Sequence, residues 1–216
     1  MESRTALLAG ASGLVGGQVL TRLLADPRYD RVIVLTRRPL EPTRPELDVR
    51  VVDFTALTSA DVPAVDDVYC TLGTTMKKAG SRQAFREVDH DMTVAVARLA
   101  RQAGARRIAL CSAIGAAPTA RQFYLRVKGA TEHDVISLGY DSTQIFRPSL
   151  LLGARAESRP AERLGIKLAP VVAPLLTGRL RRYRPVTAER LAAAMIRSLA
   201  APAPGTTVHT FDDFLP

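Results

Sequence analysis

Short apolar runs alternate along this chain with stretches whose apolar residues recur at helical spacing. Runs at 6–9, 31–36, 49–52, 68–72 and 107–111 are too short for helices and read as buried strands. After the first run, Val15, Val19, Leu20, Leu23 and Leu24 lie on one helical face. Before the fifth, Phe85, Val88, Met92, Val96 and Leu99 do the same, and Gly104 closes that helix. Phe123, Val127 and Ala130 mark a further helix, and 143–152 reads as a sixth strand and its exit, with Arg147-Pro148 inside it. Thr187 is placed to cap a last helix through Leu191, Met195 and Leu199, and 207–211 to add an edge strand. Pro39, Pro42 and Pro45 rule out an ordinary helix after the second strand. Strands alternating with helices predict an α/β fold, a doubly wound parallel sheet with helices on both faces. No repeat, low-complexity tract or linker divides it, so 1–216 reads as a single domain.

The first turn carries the chemistry. Gly10, Gly13 and Gly16, with Ser12, Leu14 and Val15 between and beside them, join the first strand to the first helix. Such a turn aims backbone N–H groups and the positive end of a helix dipole at one point, where a pyrophosphate is stabilised. The three glycines suit a tight turn, close approach of phosphate, and close packing of helix on strand, which makes the expected fold Rossmann-like. In a NAD-type unit an acid about 20 residues beyond the last glycine holds the ribose hydroxyls. Here that place falls to Thr36, followed by Arg37 and Arg38. Two guanidiniums would clamp a 2′-phosphate, so NADP is expected over NAD; the alternative is a solvated basic turn. Asp53-Phe54, at the end of the third strand, could meet the adenine amino group, or Asp53 could simply close a turn. Leu72-Gly73-Thr74 after the fourth strand and Arg147-Pro148 in the sixth complete the expected cofactor contacts.

Ser112, Tyr124 and Lys128 form the candidate catalytic set. Tyr124 and Lys128 are four residues apart on a predicted helix and so face the same way. A nearby ammonium favours the phenolate over the phenol. Ser112, at a strand end, can hydrogen-bond a substrate oxygen while the tyrosine protonates it. The plainer reading is a buried tyrosine and a lysine that reaches to solvent.

Composition narrows the partners. The chain has 47% hydrophobic and 24% charged residues, ordinary for a globular domain. Its formal charge of +9 would suit nucleic acid, but with 5% aromatics and no basic–aromatic interleaving the arginines point rather to phosphates on a cofactor. The opening MESRTALLAG does not read as a signal peptide, and no apolar run is long enough to span a bilayer. Cys70 and Cys111 lie in strand-like runs where a disulfide is not expected, so a reducing cytoplasm is the expected location. No metal site is expected: His90 and His133 sit on predicted helices, solvated or stabilising a helix.

With these residues in view, the chain resembles the atypical short-chain dehydrogenase/reductases of the Tat-interacting-protein type. The resemblance runs through GASGLVG at Gly10, VVDF at Val51, LGTT at Leu72, KAG at Lys78, VD at Val88 and FYLRVKG at Phe123. It continues in FRPSLLLGARAESRP over 146–160 and weakens beyond. It implies a Rossmann-like fold, bound NADP(H), and Ser112, Tyr124 and Lys128 in the short-chain reductase roles, with Lys128 also on the nicotinamide ribose. Two departures stand out. The family's usual serine pair is Ser112-Ala113 here, and Asp89 stands where many extended members have Asn. The segment 153–185, which ends in the arginine cluster at 179–184, is expected to form substrate pocket and lid. The leading expectation is a reductase of a small carbonyl compound. A second is a cofactor-binding module acting through a protein partner or as a homodimer. A third is a protein that meets an anionic membrane surface through 164–184.

Overall fold

The computed structural model describes residues 3–40, 44–152 and 176–215. Seven strands form one sheet: β1 (Arg4–Ala9), β2 (Tyr29–Thr36), β3 (Leu47–Val51), β4 (Asp67–Cys70), β5 (Arg107–Cys111), β6 (Ser142–Phe146) and a last strand, Gly205–His209. Every pairing in it is parallel, and the order is β3-β2-β1-β4-β5-β6 with the last strand at the far edge. The chain leaves β1 toward β2 on one side and later returns as β4 on the other, so a switch point lies at the carboxyl end of β1.

Alternation along β1 explains the layering. Ala6 and Leu8 join the core beneath helices α1 (Leu14–Leu23) and α6 (Ala188–Ala200). Leu7 and Ala9 join the opposite core, with Val96, Ala97 and Ala100 of α4 (Thr93–Gln102) and Val135 of α5 (Phe123–Ile136). Each face is thus sealed by helices, as a parallel sheet requires. Two one-turn helices, α2 (Met76–Ala79) and α3 (Arg82–Arg86), precede α4.

Three elements differ from the sequence pattern. The helix expected through 85–99 is interrupted by a π-helical segment, Glu87–Met92. The wider turn brings His90 inward although the apolar pattern places it outside, while Asp89, four residues beyond Phe85, is buried on the apolar face. The sixth strand ends at Phe146: the Arg147 N–H makes a last bond to the His209 carbonyl, and Pro148 has no N–H to continue the ladder. Beyond it a two-residue strand, β7 (Leu151–Leu152), pairs with β8 (Val186–Thr187) in a separate small sheet. The last strand, β9, is therefore Gly205–His209, two residues earlier than expected, and Phe211 opens a 3-10 turn closed by a Thr210–Asp213 capping box. No helix among the described residues is long and apolar enough to cross a membrane. Of the expected lid, 153–175 lies outside the described residues. Its described remainder includes a 3-10 helix, Gly178–Tyr183, in which Arg181 pairs with Asp212 at 2.8 Å.

Candidate active site

Because all seven strands are parallel, the loops after β1 to β6 gather at one edge of the sheet. Gly10, the first of these, turns with φ of +96°, a conformation that favours glycine. Its carbonyl accepts the Gly13 N–H at 2.9 Å, which tightens the turn. A Cβ on Gly16 would lie 2.0 Å from the Gly10 carbonyl oxygen and 2.6 Å from Thr71 Oγ1. Gly10 in turn packs against Thr71, whose hydroxyl donates to the Ala9 carbonyl. Gly10 and Gly16 are therefore required by the contact of α1 with the ends of β1 and β4. Gly13, at the N-cap of α1, brings no side chain to cap the first turn. With Ser12 exposed and Leu14 and Val15 opening the helix, that cradle fits the pyrophosphate of a dinucleotide.

The loop after β2 leaves Arg37 and Arg38 exposed, directly beyond buried Thr36, whose hydroxyl donates to the Arg38 carbonyl at 2.9 Å. After β3, Asp53 closes a turn: its Oδ1 accepts from the Thr55 N–H and hydroxyl at 2.9 and 2.7 Å. Those bonds hold its carboxyl below the usual range, the Thr55 hydroxyl contributing most. Phe54 is buried in the core, while Asp53 stays exposed.

The loop after β4 meets helix α5 at the centre of the edge. Asp89, 1% exposed, accepts the Thr74 N–H at 2.7 Å on one oxygen and pairs with Lys128 Nζ at 2.8 Å on the other. Gly73 sits directly over this pair, and a Cβ there would lie 3.3 Å from Asp89 Oδ1. The Thr131 hydroxyl donates to the Asp89 carbonyl at 2.9 Å, fixing the π-helical turn to α5. Burial works against the charge of Lys128, but Asp89 and neighbouring Tyr124 outweigh it and hold the ammonium well above its usual range. Tyr124, one turn earlier on α5, rests its ring on Phe85 at 5.5 Å between centroids. The expected lowering by the lysine does not prevail. Burial pushes the Tyr124 phenol up, and although Lys128 acts against this, Asp89 and Cys111 add to it.

Ser112, buried, follows β5 as expected, but its hydroxyl donates to Glu132 Oε1. Glu132 is one turn beyond Lys128, so Tyr124, Lys128 and Glu132 form a single stripe along α5. Arg147 grips the same carboxylate through both Nε, at 3.0 Å, and Nη2. Arg147 is thus an internal clamp rather than an open cofactor contact. Buried Pro148 beside it gives its carbonyl to the Ile114 N–H at 2.9 Å. Glu132 and the full role of Asp89 escape a reading of the residues alone. The one available signal for Glu132 is its place at the same helical spacing as Tyr124 and Lys128.

His90 differs from expectation too. It is 8% exposed, with its ring nitrogens 2.6 Å from Asp91 Oδ1 and 2.9 Å from Asp134 Oδ2. Cys70 and Cys111 are free thiols, and burial raises Cys70 to about 11, which keeps it unreactive.

The glycine cradle, the switch point and the parallel order define a dinucleotide-binding protein of the Rossmann class. Residues 10–161 match the family described as NAD(P)H-binding, and the chain belongs to that family. It is 39% identical over 163 residues to "Protein fmp52, mitochondrial" of Aspergillus clavatus, covering 72% of this chain and 70% of the relative. It is 36% identical over 173 residues to "Protein HTATIP2" of Rattus norvegicus, covering 77% and 71%. This agrees with the resemblance to the Tat-interacting-protein type. Among solved structures, MoeE5 in complex with UDP-glucose and NAD superposes with a TM-score of 0.73 at 17% identity. That match covers 96% of this chain and 75% of MoeE5, and shows the shared fold. The expectation of a cytoplasmic location is overturned by these relatives, several of which are named as mitochondrial. That expectation rests on two reduced cysteines, and reduced thiols do not tell one reducing compartment from another.

Proposed function

We propose that the chain is an NADP(H)-dependent oxidoreductase that reduces a small carbonyl compound. One observation carries this reading: Tyr124 and buried Lys128 share a face of α5 at the edge that holds the glycine cradle. Bound there, the reduced nicotinamide would supply a hydride to the carbonyl carbon. Tyr124 gives its phenolic proton to the oxygen on which negative charge develops, so the C=O becomes CH–OH, and the phenolate recovers a proton from solvent. Lys128, held by Asp89, would bind ribose hydroxyls. Ser112 gives its hydrogen to Glu132, which leaves its oxygen as an acceptor. The test is a panel of aldehydes, ketones and quinones followed by NADPH absorbance. Turnover of at least one supports the reading; tight NADPH binding with no turnover on any would refute it.

Arg37 and Arg38 support the preference for NADP. NADPH is expected to bind at least about tenfold tighter than NADH, a difference of about 1.4 kcal/mol and modest for two charge-assisted contacts. Titration of both cofactors into wild type and an Arg37→Ala, Arg38→Ala variant checks this. Equal affinities in the wild type would remove the assignment.

The commitment of Ser112 to Glu132 favours a second reading, a cofactor-binding protein that acts through protein contacts. There the panel stays silent while the cofactor binds. A mitochondrial location fits the named relatives, and an import assay with the full chain tests it.

A further inference from the structure

Asp89 is the least exposed charged group at the site and the most constrained. Its backbone carbonyl is held by Thr131, one carboxylate oxygen by the Thr74 N–H, and the other by Lys128. Asp89 lies in a π-helical segment, and such turns recur at functional sites. A lysine four residues from a tyrosine on one helix would ordinarily draw the phenol toward phenolate. Here that ammonium is matched by a carboxylate 2.8 Å away, with both groups shielded from water. A paired charge presents little net field to a third group, whereas an unpaired one in a buried site acts strongly.

We infer that Asp89 is a positioning residue that keeps Tyr124 in its protonated, proton-donating form by neutralising Lys128. The inference rests on the proposed role of Tyr124 as proton donor, and it assigns the site a direction: it is set to give a proton rather than to take one. The groups facing Tyr124 are few. Lys128 comes from its own helix, Asp89 from the π-helical segment and Cys111 from β5, while Phe85 covers the ring. His90, adjacent to Asp89, turns instead to Asp91 and Asp134. Burial is the largest cause of the upward Tyr124 shift, and Asp89 acts in the same direction, offsetting part of the opposing effect of Lys128.

The test is the ultraviolet absorbance of tyrosinate in the full chain, which needs neither substrate nor turnover. Subtracting the Tyr124→Phe titration isolates Tyr124 from the buried Tyr29, Tyr69 and Tyr140, all of which titrate high, and from exposed Tyr183. Asp89→Asn, which keeps the shape and removes the charge, should lower the Tyr124 midpoint by about one pH unit or more. Asp89→Asn with Lys128→Gln leaves no unpaired buried charge and should return the midpoint to that of the wild type. An unchanged or higher midpoint in Asp89→Asn would overturn the inference. So would a double-variant midpoint about one unit above the wild type, because Lys128 would then be acting on Tyr124 uncompensated. Should Asp89→Asn fail to fold, Lys128→Gln alone decides: with Asp89 left unpaired the Tyr124 midpoint should rise, and an unchanged or lower midpoint would overturn the inference. A silent carbonyl panel with these shifts intact would count against the reductase reading and not against this pairing.

Discussion

Tyr124→Phe should leave NADPH affinity within a few-fold of wild type while lowering carbonyl reduction by about 100- to 10,000-fold, the usual worth of general acid catalysis. The phenol contributes only when negative charge develops on the substrate oxygen, so its loss belongs in turnover rather than cofactor binding. The ring itself stays seated, because Phe preserves the contact with Phe85. The same residue sets the pH dependence. Its pKa lies above the ordinary phenol value of about 10, so the donor form persists through neutral and mildly alkaline pH. Reduction should therefore not fall as pH rises from 7 to 9 through loss of this proton. Initial rates for wild type and variant at saturating NADPH check both statements. A variant that keeps the full rate would rule out the proton-donor role.

The second large effect is structural. Gly16→Ala would set a Cβ 2.0 Å from the backbone oxygen of Gly10, and neither backbone can move without pulling α1 away from β1. Overpacking against a rigid neighbour typically costs about 1–3 kcal/mol, and a clash of this depth belongs at or above the top of that range. For a chain of this size the melting temperature should fall by roughly 6–12 °C. Cofactor affinity should fall with it. Gly17→Ala is the control one residue on. Its nearest neighbour would be the Ala11 carbonyl at an ordinary 3.5 Å, so helix propensity alone should leave stability equal or higher by about 0.5–1 kcal/mol. Thermal melts of the two variants separate close packing from a general intolerance of side chains in α1.

Much of the fold is legible in the residues because its signals are local. Buried parallel strands such as 31–36 announce themselves as unbroken apolar runs, and the glycine turn marks the switch point. Helical spacing alone places Tyr124 beside Lys128. It does not disclose the π-helical segment, since one extra residue in a helical turn costs little and leaves no compositional mark. That slip turns His90 from an outer position into an inner one. Burial overcomes the expected pull on Tyr124, and Asp89, which offsets part of the effect of Lys128, lies on another element. Arg147 departs from expectation for a related reason. A guanidinium near the cofactor edge looks like a cofactor contact until its own carboxylate, Glu132 on α5, is seen. Asp53 meets the alternative already open for it, a local turn, through a threonine two residues away. Such long-range or competing pairings are not encoded by spacing along a chain.

In the proposed reaction this edge carries hydride from a nicotinamide to a carbonyl carbon with Tyr124 as proton donor. The most direct measurement uses NADPH dideuterated at its reactive carbon, incubated with the carbonyl panel, with the alcohols read by mass spectrometry. Wild type should give at least one alcohol carrying a single deuterium on the former carbonyl carbon, and Tyr124→Phe should give about 100-fold less or lower still. Tight binding of the labelled cofactor by wild type with no deuterated alcohol from any member of the panel would contradict the account.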